Sequence, residues 1–192
     1  MVTGMGVVGQ LVMRLAAGIQ SETRIAVDLS DSRLQKARAS GAMHAFNPRT
    51  DDLHPRIQSV TGDRGLDLVV EASGYPDVLP RVFELCRIGG RIILLGSIWH
   101  RKVEIDFMEF HLKELVLMGC HQPKCPIHPS SLFPWTQQYN RDQILAMIAD
   151  RCLEVADLIS HRLPADEAKA GYRLLRERRD DALGVILEWR KD

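Results

Sequence analysis

Gly4-Met5-Gly6-Val7-Val8-Gly9 sets three glycines at the spacing GxGxxG, directly after the apolar stub Met1–Thr3 and directly before an amphipathic stretch. In that setting each glycine has its own physical task. Gly4 allows a tight turn, Gly6 lets a pyrophosphate approach the backbone, and Gly9 lets the following helix pack closely on a sheet. The N–H groups of Val7 and Val8, at the start of that helix, would face the phosphates with the favourable end of the helix dipole. A glycine-rich turn alone is weak evidence, and Asp28 supplies a second test. It ends the next strand-like run, nineteen residues beyond Gly9, close to the roughly 20 expected of an acid that binds a ribose. A carboxylate there accepts hydrogen bonds from both ribose hydroxyls of NAD and repels the 2′-phosphate of NADP. No arginine directly follows it to offset that repulsion. The bland alternative is a solvated aspartate at a strand end.

Further candidates are weaker singly. Arg33 falls in the first turn of the following helix, where a flat cation could lie over an adenine or simply face water. Glu71 ends an apolar run and is followed by Ala72-Ser73-Gly74; such small residues leave space for the adenine ribose, although a plain tight turn reads the same. Cys120, His121, Cys125 and His128 lie close in sequence. Zinc ligands pair two to four residues apart, so Cys125 and His128 could chelate. The Cys120–Cys125 spacing matches no common zinc module, and an ordinary Pro-rich loop, with or without a substrate-lining role, is the alternative.

These residues need elements to hold them. The apolar spacing Val8, Leu11, Val12, Leu15, Ala16 predicts a helix over 7–18. A strand follows over 24–29, with Ser30 as N-cap of a helix over 31–40 and Gly41 where a helix end favours a left-handed residue. A short strand at Ala45-Phe46 and a weaker helix over 52–61 come next. The runs 66–71 and 91–95 are nearly continuously apolar, the pattern of strands buried on both faces of a parallel sheet. Between them the spacing predicts a helix over 77–88 stopped by Gly89-Gly90. A short helix over 107–113, a strand over 114–119, a loop over 121–139, a helix over 141–152, and strand, helix and strand over 158–163, 165–178 and 185–189 complete the chain. Strand and helix alternating in this way predict a doubly wound α/β fold with a parallel sheet.

With 192 residues the chain can bury one sizeable core, and Lys plus Arg equals Asp plus Glu at 25 each. The balance argues against a basic face for nucleic acid or anionic lipid. Four cysteines make no disulfide framework. The apolar runs fall far short of the roughly 18 residues that span a bilayer, and no basic segment precedes an apolar stretch as in a signal peptide. A soluble cytoplasmic protein is expected.

Four further runs carry a resemblance. Val27-Asp28-Leu29-Ser30-Asp31-Ser32-Arg33-Leu34, Asp67-Leu68-Val69-Val70-Glu71-Ala72-Ser73-Gly74, Gly89-Gly90-Arg91-Ile92-Ile93-Leu94-Leu95-Gly96, and Leu158-Ile159-Ser160-His161-Arg162-Leu163-Pro164 resemble the zinc-type medium-chain dehydrogenases. The resemblance covers nearly all the chain except the 121–139 loop. It implies a Rossmann domain over 1–152 and a return segment over 153–192, and hydride transfer between an alcohol or polyol and NAD. Leu95, Gly96 and Ser97 would border the nicotinamide, with Met118 nearby. It also implies that the GroES-like domain carrying the catalytic zinc and proton relay is absent, so that this chain is a truncated product or fragment with no catalytic residue to carry over. The strands over 158–163 and 185–189 would belong with that domain. Family members often place a Lys or Arg that reaches the pyrophosphate where Gly184 stands here. Residues 102–106, alternating charged and apolar, resemble the edge strand that pairs two copies across a twofold axis, and predict a homodimer. A non-catalytic NAD-binding module and an S-adenosylmethionine methyltransferase are the competing readings.

Overall fold

The computed structural model describes residues 1–19, 21, 23–96, 102–121, 125–131, 133–178 and 180–189. Six parallel strands form one sheet in the order β3-β2-β1-β4-β5-β6. They are β1 (Val2–Thr3), β2 (Ile25–Val27), β3 (His44–Phe46), β4 (Leu66–Glu71), β5 (Cys86–Leu94) and β6 (Val116–Gly119). Between them run α1 (Val7–Ala17), α2 (Asp31–Ala39), α3 (Leu53–Thr61), α4 (Leu79–Leu85) and α5 (Met108–Leu112). The sequence alternation thus becomes a doubly wound sheet whose chain order reverses direction between β1 and β4. Two apolar clusters cover its two faces: one gathers Ile25, Val27, Val69 and Phe83, the other Val2, Met13, Ala26 and Leu34. Ile25 and Val27 fall on one side and Ala26 on the other, as the period of two requires.

Register decides what the sheet can position. Thr3 is level with Val27 and Glu71, and Glu71 with Leu94. Gly4, Asp28, Ala72 and Leu95 therefore emerge side by side from the carboxyl ends of four adjacent strands.

Several predicted elements shift. The helix expected to run to residue 88 ends at Leu85, and β5 already begins at Cys86 because Cys86 pairs with Leu66 across a register shift. Gly89, at φ +69°, and Gly90 lie inside that irregular strand rather than after a helix. Long-range pairing overrides a local helical pattern here. Leu68 on β4 is 44% exposed, so β4 is not covered on both faces by the described residues. The face of α1 that is buried carries Gly9, Gln10 and Met13, while Val8 is exposed and Leu11, Val12, Leu15 and Ala16 are half-buried. Residues 102–106 pair with no strand of the same chain among the described residues. Val103 and Ile105 are half-buried and Ile105 packs against the Phe83 cluster, so the alternation records an extended segment lying over the core. The outer strand on that side is β6.

Beyond the sheet, α6 (Gln137–Ala149) starts four residues earlier than expected, capped by Thr136, whose hydroxyl accepts from the Tyr139 N–H at 3.1 Å. Then β7 (Ile159–Pro164) and β8 (Gly184–Glu188) pair in parallel, with α7 (Ala168–Glu177) between them in sequence. This unit is tied back to the sheet by the Asp157 carboxylate, which accepts from Arg14 Nη1 and Nη2 at 2.7 Å each and from Lys36 Nζ at 3.2 Å. The Arg14 hydrogen bonds chiefly, then Lys36, hold the Asp157 pKa down at about 2. A carboxyl whose folded pKa is depressed adds stability above its ordinary pKa and loses it as pH falls through the folded value. Because Asp157 is 45% exposed, solvent screening leaves about 1 kcal/mol of this. Thermal unfolding of the wild type against Asp157→Asn should show that gap in full at pH 6, narrowing below about pH 4 and closing near pH 2. A gap independent of pH would show that the ion pairs do not contribute.

Candidate functional site

The carboxyl ends of β1, β2, β4 and β5 bring the glycine loop, Asp28 and the turn after Glu71 together. Gly4 stands at φ +82°, a conformation L side chains rarely adopt. Its N–H donates to the Val27 carbonyl at 2.8 Å, and a Cβ placed on it would lie 2.5 Å from the Ser73 Cα. A Cβ on Gly9 would drive into the Gly4 carbonyl oxygen, so α1 starts in backbone contact with the loop it follows. Gly6 differs: its φ of −68° and ψ of −173° suit any residue, and a Cβ there meets nothing within 4 Å. The space beside Gly6 is open, and Gly6 as N-cap offers no side chain to the first-turn N–H groups of α1. No acidic residue stands in that first turn either. Such uncapped donors at the positive end of a helix can receive an anion.

Asp28 closes the loop from the other side. Its Oδ2 accepts from the Met5 N–H at 2.6 Å and its Oδ1 from the Ser30 N–H at 2.9 Å. The carboxylate thus fixes the glycine loop to the start of α2 and uses two of roughly four acceptor positions. The others remain for hydroxyl donors.

Gln10 is a site residue that the motif reading passes over. It is buried, and its Nε2 donates to the Met5 carbonyl at 3.2 Å and the Arg33 carbonyl at 2.9 Å. A glutamine one position after the last glycine of the motif, on the inner face of α1, was the available clue. The Arg33 guanidinium reaches toward the Ala182 carbonyl at 3.4 Å, and Ser32 Oγ donates to the Asp180 carbonyl at 2.7 Å. The start of α2 is therefore engaged with the turn before β8. Gly184 has a packing reason: a Cβ there would lie 2.6 Å from the Leu158 carbonyl oxygen, so no lysine or arginine fits without parting β7 and β8.

Ala72, Ser73, Leu95 and Gly96 border the same edge. Leu95 and Gly96 donate their N–H groups to the Glu71 carbonyl at 2.9 and 2.8 Å. Ser97 lies outside the described residues. Met118 is exposed on β6. The Cys120, His121, Cys125 and His128 group does not converge. Cys120, His121 and His128 are exposed, while Cys125 Sγ lies 3.7 Å from the Trp135 carbonyl and accepts from Asn140 Nδ2 at 3.3 Å. Among the described residues no three His, Cys, Asp or Glu side chains gather, so these residues do not fit a zinc site.

A hollow of about 450 Å³ lined by Met13, Ala16, Thr23, Arg64 and Leu68 sits at the opposite, amino ends of the strands. Open parallel sheets take ligands at the carboxyl ends, where the strand order reverses, which favours the glycine edge.

Residues 7–134 match the family model described as zinc-binding dehydrogenase. An L-threonine 3-dehydrogenase of Anaeromyxobacter sp. (strain Fw109-5) is 26% identical over 189 residues, covering 98% of this chain and 50% of its own. The solved alcohol dehydrogenase of Thermus sp. ATN1 is 28% identical with a TM-score of 0.79, covering 98% of this chain and 50% of that one. A solved alcohol dehydrogenase of Thermotoga maritima is 26% identical with a TM-score of 0.80, covering 98% and 49%. The chain spans about half the length of the relatives it matches.

Proposed function

The chain belongs to the zinc-binding dehydrogenase family, and from that premise we propose that it holds NAD for an oxidoreductase acting on an alcohol or polyol. One observation carries this reading: the open space beside Gly6, at an uncapped helix start, stands next to a carboxylate that clasps both the glycine loop and the start of α2. The pyrophosphate would rest on Gly6, Val7 and Val8, and the adenosine ribose on Asp28. Ala72 and Ser73 would flank the ribose, while Leu95, Gly96 and Ser97 would orient the nicotinamide. Arg33, drawn toward Ala182, would border the adenine from the side. When bound, the cofactor supplies the nicotinamide C4 that accepts hydride from the carbinol carbon. The carboxylate of Asp28 would disfavour a 2′-phosphate by charge repulsion, so NAD is preferred over NADP.

Two further parts belong to the proposal. The protein works in the cytoplasm, which its four free cysteines support; no described helix is long and apolar enough to cross a membrane. Two copies associate through an exposed edge, with residues 102–106 or the outer strand β6 as the segment that pairs. A second reading is NAD held without turnover.

Calorimetric titration with NAD, NADP and S-adenosylmethionine tests the reading. The expected result is saturable NAD binding, NADP weaker, and Asp28→Ala weakening NAD by about tenfold, the equivalent of one lost charge-assisted hydrogen bond. Asp28→Ala should also narrow the gap between NAD and NADP. A folded chain that binds none of the three, or prefers S-adenosylmethionine, overturns it. Hydride transfer to any aldehyde would separate the enzyme from the binding module.

A further inference from the structure

We infer that Glu71 is the positioning residue of the nucleotide edge, holding the three turns of the site in register; the inference rests on the reading of Gly4–Gly9 as a dinucleotide cradle. Glu71 is 0% exposed at the end of β4, level with Thr3 on one side and Leu94 on the other. Its carboxylate Oε1 accepts from the Ser73 N–H at 2.7 Å, the Gly74 N–H at 3.1 Å and the Ser73 hydroxyl. Its backbone carbonyl accepts from Leu95 and Gly96 at 2.9 and 2.8 Å. One residue therefore ties down the turn after β4 with its side chain and the turn after β5 with its main chain.

Those turns bear directly on the glycine loop. A Cβ on Gly4 would lie 2.5 Å from both Ser73 N and Ser73 Cα, and one on Gly96 would run into the Gly74 N–H. Gly4, Ser73-Gly74 and Gly96 are thus stacked backbone on backbone, with no side chain between them to absorb a shift. Movement of the Ser73 turn must move Gly4, and with it the N–H groups at the start of α1. Burying a carboxyl is expensive, and an apolar residue would serve better if β4 needed only to fill the core at this point. The neighbouring Val69 and Val70 do that. The second oxygen, Oε2, and the hydroxyl of Thr3, the residue in cross-strand register with Glu71, are both buried without a hydrogen-bond partner among the described residues. A carboxyl stands here although one of its oxygens has no partner among the described residues, which points to the oxygen that holds the turn.

What matters on this account is where the acceptor stands, rather than its charge. Glu71→Gln keeps a carbonyl oxygen at the same reach. Glu71→Asp keeps the charge but withdraws the oxygen by one carbon–carbon bond, about 1.5 Å. Glu71→Leu keeps bulk and removes the acceptor. NAD affinity should fall in the order wild type, Gln, Asp, Leu, with Gln within about threefold and Leu weaker by about tenfold or more. Calorimetry below the onset of unfolding reads the affinity of the folded molecules, and thermal unfolding beside it reads stability separately. Recovery by Gln but not by Asp is a result that a merely stabilising charge would reverse. Should Glu71→Leu fail to fold, the Gln and Asp variants carry the test. Folded Asp and Leu variants that bind NAD as the wild type does, or Asp outperforming Gln, overturn the inference alone. A wild type that binds no NAD overturns the reading beneath it, and the inference with it.

Discussion

Gly9→Ala should cost the chain about 3 kcal/mol and leave no measurable NAD binding, whereas Gly6→Ala should fold like the wild type and still lose the nucleotide. At Gly9 the added methyl group meets the Gly4 carbonyl oxygen, a backbone atom that cannot swing aside. Gly4 is itself fixed by the Val27 carbonyl and by the Ser73 backbone beneath it. The helix α1 must therefore back away from the sheet, opening the packing around buried Met13 and Gln10. For a chain of this size that loss lowers the unfolding midpoint by roughly 10 °C. At Gly6 the same methyl group meets nothing within 4 Å and the backbone angles suit alanine, so stability should change by less than about 1 kcal/mol. The space it enters is where the pyrophosphate is proposed to rest, and NAD affinity should drop by about tenfold or more, a cost of at least 1.4 kcal/mol. Circular dichroism melts and NAD titration on both variants decide it. Wild-type affinity in Gly6→Ala would place the phosphates elsewhere.

The contrast between those two glycines also marks what could be read from the sequence. The spacing Gly4, Gly6, Gly9 answers local demands: a turn, an open approach, a close helix start. Such demands act within a few residues, so they are legible in a string of letters. Asp28 was legible for a related reason, because the length of one helix and one strand sets the distance from the glycine loop to the end of the next strand. The doubly wound fold followed from alternation alone.

What escaped depends on contacts far apart in sequence. Whether residues 86–88 end a helix or begin a strand is decided by Leu66, twenty residues earlier, which pairs with Cys86. The buried face of α1 is set by the loop and α2, so Gln10 lies inside while Val8 is exposed. Arg33 has a predicted place in the first turn of α2, but only the turn before β8 determines where its guanidinium goes. Residues 102–106 alternate as a strand does, yet alternation reports half-burial and not a hydrogen-bonded partner. Glu71 reads as the last residue of an apolar run. Its hold on two turns is visible only once β4 and β5 stand side by side.

Arg14→Met should destabilise the chain by about 2–3 kcal/mol, and the loss should be local before it is global. Arg14 lies in the last turn of α1, where a cation suits the helix dipole. Its side chain is only 10% exposed. Nε donates to Ser40 Oγ at 3.0 Å, the two terminal nitrogens grip Asp157 in a fork, and Nη1 also donates to the Glu154 carbonyl. One guanidinium thus joins α1, the end of α2 and the segment leading into β7. Methionine keeps the aliphatic bulk but leaves three acceptors without their donor. The expected loss sits above that of a surface pair, below about 1 kcal/mol, because Arg14 is nearly buried. It sits below that of a fully buried pair, 3–5 kcal/mol, because Asp157 still meets water and keeps Lys36. The unfolding midpoint should fall by about 5–10 °C. Hydrogen exchange should quicken first in β7 and β8 while β1 to β5 keep their protection, since the ties of that unit to α2 that stay in place, from Ser32 to Asp180, Arg33 to Ala182 and Lys36 to Asp157, include no buried ion pair. The first two ties stand beside Asp28, so NAD should also weaken modestly as the turn loosens. Uniform acceleration across both sheets, or an unchanged midpoint, would mean that the two-stranded unit is held by its buried Leu153 and Leu158 rather than by the arginine.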